Sequence, residues 1–241
     1  MFGWRRRIGY ISPGALEISV YDFYQIAPEG VGLVALSLPI GGWEVGEYSK
    51  NLEPVEDAAA YLARRHVHMI VHAGAPPVAS RGAKFMSELV DRMTMRTGLP
   101  ASTALHSAIS AFATLGAQRV AVVTPFPPET HANILAVLEE VGLSVVLEER
   151  LDADFMLLHE ISPQRVYDFV TSAIRRGGPT VDAAYVPCPQ WHVFEMVRHL
   201  EGATGVPIVT SDGGDFWYAF RELEIHDAPA GHGILLDGLR R

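Results

Sequence analysis

Arg119-Val-Ala-Val-Val-Thr-Pro125 carries four consecutive apolar residues between its charged start and its proline. An apolar run without alternation is the pattern of a strand covered on both faces, as in a parallel sheet. The same pattern occurs earlier, in Arg7-Ile-Gly-Tyr-Ile-Ser-Pro13, and the two align at an offset of 112 residues, with Glu17 matching Glu129. Val67-His-Met-Ile-Val-His-Ala-Gly74 aligns with Val181-Asp-Ala-Ala-Tyr-Val-Pro-Cys188 at 114, and Thr97-Gly-Leu-Pro100 with Thr204-Gly-Val-Pro207 at 107. Any one match is weak. Three in the same order at nearly the same offset indicate a duplicated unit.

Around these anchors, short apolar runs alternate with longer helical patterns. The runs predict strands at 8–11, 31–38, 69–72, 120–124, 144–147, 183–186 and 207–209. Helices are predicted at 54–65, 83–97, 103–115, 128–141, 163–176, 193–204 and 214–221. Strands alternating with helices of about 10–15 residues give βαβ units. The predicted fold is α/β: two pseudo-symmetric Rossmann-like domains, each a short parallel sheet flanked by helices, facing each other across a cleft. The expected first domain is 1–115 with 225–241, and the second is 116–224. Ligands of open parallel sheets sit beyond the carboxyl ends of the strands. That rule singles out four tips: Ser12, Pro13 and Gly14; Gly74, Ala75 and Pro76; Thr124 and Phe126; Cys188, Pro189 and Gln190.

Composition narrows the functions. The 241 residues are 49% hydrophobic, with a mean hydropathy of +0.15, enough for a large core. A formal net charge of −9 disfavours nucleic acid and anionic membrane surfaces as partners. No apolar stretch reaches the roughly 18–20 residues of a membrane span. The opening Arg5-Arg-Arg7 run leads into a strand and turn rather than the apolar stretch of a secretory signal. The single cysteine cannot form an internal disulfide. A cytoplasmic location is therefore expected. No phosphate-binding glycine loop is present, so no nucleotide cofactor is expected.

The quoted segments, with Arg81-Gly82, Tyr185-Val-Pro-Cys188 and Thr204–Ser211 running into Phe216-Trp217, resemble one known group. It is the arylmalonate decarboxylase and maleate cis-trans isomerase branch of the aspartate/glutamate racemase superfamily. The resemblance covers about residues 7–221. It implies cofactor-free chemistry at the α-carbon of a small carboxylate or dicarboxylate, in a possible homo-oligomer. Racemases and maleate isomerases of this group carry a cysteine on each wall of the cleft. Decarboxylases keep the second and have glycine at the first, the pattern of Gly74 and Cys188. A thiol on one wall protonates a carbanion from one side only. A free cysteine titrates near pH 8.5, so Cys188 is expected as a proton-donating thiol. A nearby helix N-terminus leaves a nucleophilic role open. Chain and family part at four places. Ala75 and Pro76 stand where hydroxyl residues are expected, Phe126 where a tyrosine is, and Pro189 where glycine is typical. Each proline removes a backbone donor.

His72, His106, His131 and His192 are candidates to replace those donors, although single histidines are more often structural. They lack the spacing of metal-binding helices, so no metal is expected. Trp191, Phe216 and Trp217 read as core or pocket wall, and Ser102-Thr103 and Ser211-Asp212 as helix N-caps. Three functions remain: decarboxylation of a malonate-type diacid with protonation by Cys188, isomerisation by Cys188 with a histidine, or carboxylate binding without catalysis.

Overall fold

A computed structural model describes residues 2–240. In the first half, β1 (Arg6–Ser12), α1 (Glu17–Ile26), β2 (Val31–Ser37), α2 (Val45–Leu52) and α3 (Val55–Arg64) precede β3 (Met69–His72). There follow α4 (Ala75–Ala79), α5 (Gly82–Thr97), β4 (Ala101–Thr103) and α6 (Ala104–Leu115). The second half runs β5 (Arg119–Thr124), α7 (Pro128–Glu140), β6 (Ser144–Arg150), α8 (Pro163–Gly177), β7 (Ala183–Val186), α9 (Val193–Thr204), β8 (Ile208–Thr210) and α10 (Ser211–Glu222). A short α11 (Ile234–Asp237) and a helical turn at Gly238–Arg240 follow.

The strands form two four-stranded parallel sheets of the same order, β2-β1-β3-β4 and β6-β5-β7-β8. The repeat is therefore structural, and its details recur atom for atom. Ser12 Oγ accepts the Gly14 amide at 3.3 Å, and Thr124 Oγ1 accepts the Phe126 amide at 3.3 Å. Thr103 and Thr210 cap α6 and α10 by accepting from His106 N and Gly213 N. β1, β3, β5 and β7 are central and almost wholly buried, which is why their sequences are apolar without alternation.

The differences from the sequence reading have local causes. α1 was not predicted because its inward face mixes Ser19 and Asp22 with Ile18, Phe23 and Ile26. Polar residues on a buried face mask the helical period. β4 is three residues of small side chains, Ala101-Ser102-Thr103, and carries no propensity signal. β6 continues beyond 147 through Glu148, Glu149 and Arg150, since an edge strand tolerates charge. The caps sit one residue from the expected pair in α10: Thr210 caps, which frees Ser211 and Asp212 to face inward.

The two halves meet through equivalent contacts. α6 packs on α10, α4 packs on α7, and the turn Pro189–Trp191 packs on α1. The tips of β3 and β7 are thereby set against each other's half. At the first tip, Gly74 has φ +85°, and a Cβ built there would lie 2.3 Å from Pro13 Cγ. Gly74→Ala is therefore expected to lower stability by about 1–3 kcal/mol, read as a depressed Tm in thermal unfolding.

Candidate active site

Beyond the strand tips lies a cavity of about 390 Å³. Its wall takes Ser12, Pro13 and Gly14 from the first tip and Gly74, Ala75 and Pro76 from the second. Phe126 comes from the third tip, and Cys188, Pro189 and Gln190 from the fourth. Thr124 does not reach it; its hydroxyl is 2.8 Å from His131 Nδ1 beneath the surface.

Gly74 and Cys188 hold nearly the same backbone conformation. Their φ/ψ values are 85°/107° and 96°/100°, and each leads into a short helical turn containing proline. For glycine that conformation is free of strain; for cysteine it costs roughly 1–3 kcal/mol. Cys188 is 8% exposed and faces the cavity beside the backbone amides of Gln190 and Trp191, which favour the thiolate, and Trp191 N–H donates to Cys188 O at 3.2 Å. Burial outweighs those donors and pushes the thiol up to about 12, with the Asp212 charge adding to the rise. This corrects the ordinary titration expected from sequence. At neutral pH the group is a thiol, and the thiolate is disfavoured.

Of the histidines, none of the four singled out lines the cavity. His72 is fully buried, with Nε2 3.1 Å from Asn51 Oδ1, and burial pushes it down to about 4, so it is neutral. Asn51 in turn donates to Leu38 O, pinning the stretch after β2. His106 pairs with Ser102 Oγ at 3.0 Å and packs on Tyr218, and its imidazolium is disfavoured by burial and by Arg221. His131 bridges Thr124 to Glu148, 2.8 Å from each. His192, at φ +54°, precedes α9 and supplies backbone geometry. Strand-end proximity in sequence selected these residues; the His72 side chain turns into the buried interior, and the half-buried His106 ring lies against Tyr218 between α6 and α10. Trp191, Phe216 and Trp217 are core residues at 2% exposure or less.

The imidazole on the cavity wall belongs instead to His159, in the helical turn Phe155–Glu160, whose Phe155, Met156 and Leu158 also line it. That turn follows an edge strand and matches no motif, so sequence gave no signal for it. Trp43, after Gly41-Gly42, crosses from the first half to meet Phe126 and Phe155 edge to face, with ring centroids 5.1 and 4.8 Å apart. Among the described residues, no lysine or arginine lines the cavity.

A buried acidic group underlies one side. Tyr10 and Ser19, both on the cavity wall, donate to Asp212 Oδ1 at 2.8 and 3.1 Å. The Asp22 carboxyl hydrogen-bonds to Asp212, and Asp215 lies against Tyr10 and Ser107. Burial pushes Asp22 well up, with the Asp212 charge beside it, so Asp22 holds a proton. Asp212 is raised less, because Tyr10, Ser19 and Asp22 all donate to it. Ser211 lines the cavity and its Oγ accepts the Cys188 amide at 3.3 Å.

The sequence model of the arylmalonate decarboxylase family matches residues 8–236. The chain belongs to that family. The arylmalonate decarboxylase of Bordetella bronchiseptica is 25% identical over 215 residues, 89% of each chain. A crystal structure of arylmalonate decarboxylase, also at 25% identity, superposes with a TM-score of 0.82, covering 96% of this chain and 99% of that one. The maleate isomerase Iso of Pseudomonas putida S16, solved with maleate, shares the fold at 21% identity and a TM-score of 0.86, over 97% and 98% of the two chains. The family match thus spans both halves of the chain. No helix among the described residues is long and apolar enough to cross a membrane.

Two outcomes follow from the electrostatics. Alkylation of Cys188 by iodoacetamide should be slow at pH 7–8 and still be rising near pH 10, where an ordinary thiol near 8.5 has levelled off. Because Asp22 and Asp212 are raised, the folded state binds more protons than the unfolded one above the ordinary carboxyl range. Stability is then fully present below about pH 4 for these groups and declines as pH rises toward the alkaline side. Asp22→Asn, which keeps a donor toward Asp212, should flatten that decline; a Tm profile from pH 5 to 9 reads it, at roughly 2–4 °C per kcal/mol.

Proposed function

We propose that the protein is a cofactor-independent decarboxylase of a substituted malonate, with Cys188 as the proton donor. The observation that carries this reading is the asymmetry of two equivalent strand tips: a protonated thiol at one, bare backbone at the other, in a cavity walled by aromatic and proline side chains. Family membership supplies the reaction class.

The substrate's organic substituent lies against Trp43, Phe126 and Phe155. As the bond between the α-carbon and one carboxylate breaks, its electron pair stays on the α-carbon and carbon dioxide leaves. The enediolate that results carries its charge on the retained carboxylate, facing the hydroxyls of Ser12 and Ser211 and the Ala75 amide. Ser12 and Ser211 each accept a backbone N–H, which leaves their hydroxyl protons free to donate. Ala75 opens its helix, so its amide has no helical acceptor. Cys188 then delivers its proton to the α-carbon, and the thiolate regains one from water. A thiolate destabilised by burial is a strong base once formed, so the same burial that protects the thiol returns it to the protonated state. With Gly74 opposite, no acid serves the second face, and a single enantiomer results. A nucleophilic role for the sulfur is disfavoured, since attack requires the thiolate.

Carbon dioxide release from phenylmalonate and from alkylmalonates tests the reading. Cys188→Ala should lower kcat by roughly 10²–10⁴-fold, and reaction in heavy water should give one deuterated enantiomer. Wild-type rates in the alanine variant would exclude Cys188 as the acid.

A further inference from the structure

The cavity wall holds a donor that the protein itself leaves unused. Trp43 Nε1–H is buried and has no acceptor within the protein. Among the described residues, it is the one such buried polar atom whose side chain also lines the cavity. Buried donors without a partner are rare and call for an explanation. The wall around it is poor in other donors: Pro13, Pro39, Pro76, Pro77 and Pro189 have no N–H, and Phe126 ends in carbon. With no lysine or arginine among the described residues of that wall, an anion there depends on individual N–H and O–H donors, His159 and Gln190 among them.

We infer that the Trp43 indole N–H binds the substrate carboxylate, as a specificity-determining donor on the wall formed with Phe126. This rests on the reading of the cavity as a carboxylate site. Trp43 is held edge to face by Phe126 and Phe155, which fixes the ring while its nitrogen side stays unsatisfied. An indole donor in an apolar wall favours a carboxylate attached to an apolar body, since the ring packs against one and its N–H meets the other.

The probe is phenylmalonate, added to the Cys188→Ala protein so that it is not consumed. With ¹⁵N labelling, the four tryptophans give four indole signals, and Trp43→Phe identifies one by its loss. The Trp43 indole proton should move downfield as phenylmalonate saturates the protein, with the other three unmoved. Trp43→Phe should weaken phenylmalonate binding roughly ten- to hundredfold, the usual effect of one hydrogen bond to a charged group. Phe126→Tyr added to Trp43→Phe should restore most of that loss, by returning a donor to the same wall, whereas Phe126→Tyr alone should add little. A saturated protein whose Trp43 signal has not moved, or a Trp43→Phe variant that binds as tightly as its parent, overturns the inference even if carbon dioxide is released normally. Absence of carbon dioxide release by the wild-type protein, with the shift present in the Cys188→Ala protein, would overturn the decarboxylase reading alone. Phenylmalonate that does not bind at all overturns both.

Discussion

Two parallel strands, β3 and β7, end in the same positive-φ turn, and what each tip can carry sets the chemistry of the cleft. Gly74 occupies the conformation at no cost, and the Pro13 ring fills the space a side chain would need. Cys188 occupies it against its own preference, held by the hydrogen bond its backbone N–H donates to Ser211 Oγ and by the turn that packs on α1. A strained residue kept at a strand tip points its side chain into the cavity rather than into the layers. The duplication supplies two such tips facing each other; the difference between glycine and cysteine makes them unequal.

Electrostatics reinforces that inequality. Among the described residues the cleft has no lysine or arginine on its wall, and a group of three buried carboxyls, Asp22, Asp212 and Asp215, lies beneath the Tyr10 and Ser19 side. An uncompensated acidic group is costly to bury, and the molecule limits the cost by keeping protons on it and by directing hydroxyl donors at Asp212. The same surroundings keep Cys188 protonated. A site of this kind suits a reaction whose charge spreads as it proceeds and ends with a proton delivered. It suits poorly one that begins with a sulfur anion.

Much of this could be read in the chain because the central strands are buried on both faces. Burial forces an apolar run, and a run repeated at a constant offset is visible without coordinates. The four tips follow from the rule that places ligands at strand ends, so Gly74 and Cys188 could be paired by alignment alone. The histidines were read less well. His72 and His106 adjoin tips in sequence, but a strand alternates its faces and a helix start turns its side chains sideways. Both rings end among Asn51, Ser102 and Tyr218 instead of in the cleft. The acidic group was invisible, because Tyr10, Ser19, Asp22 and Asp212 come from β1, α1 and α10, some 190–200 positions apart, and no local pattern joins them.

Sequence by itself determined the duplicated α/β architecture, the apolar strand runs that mark it and the one thiol at a strand tip, because each follows from local burial and chain repetition. Tertiary structure alone decided the state of that thiol, the identity of the cavity's aromatic wall and the arrival of Trp43 and His159 at the cleft. Those depend on dielectric surroundings and on loops brought in from both halves, and neither leaves a periodic trace along the chain.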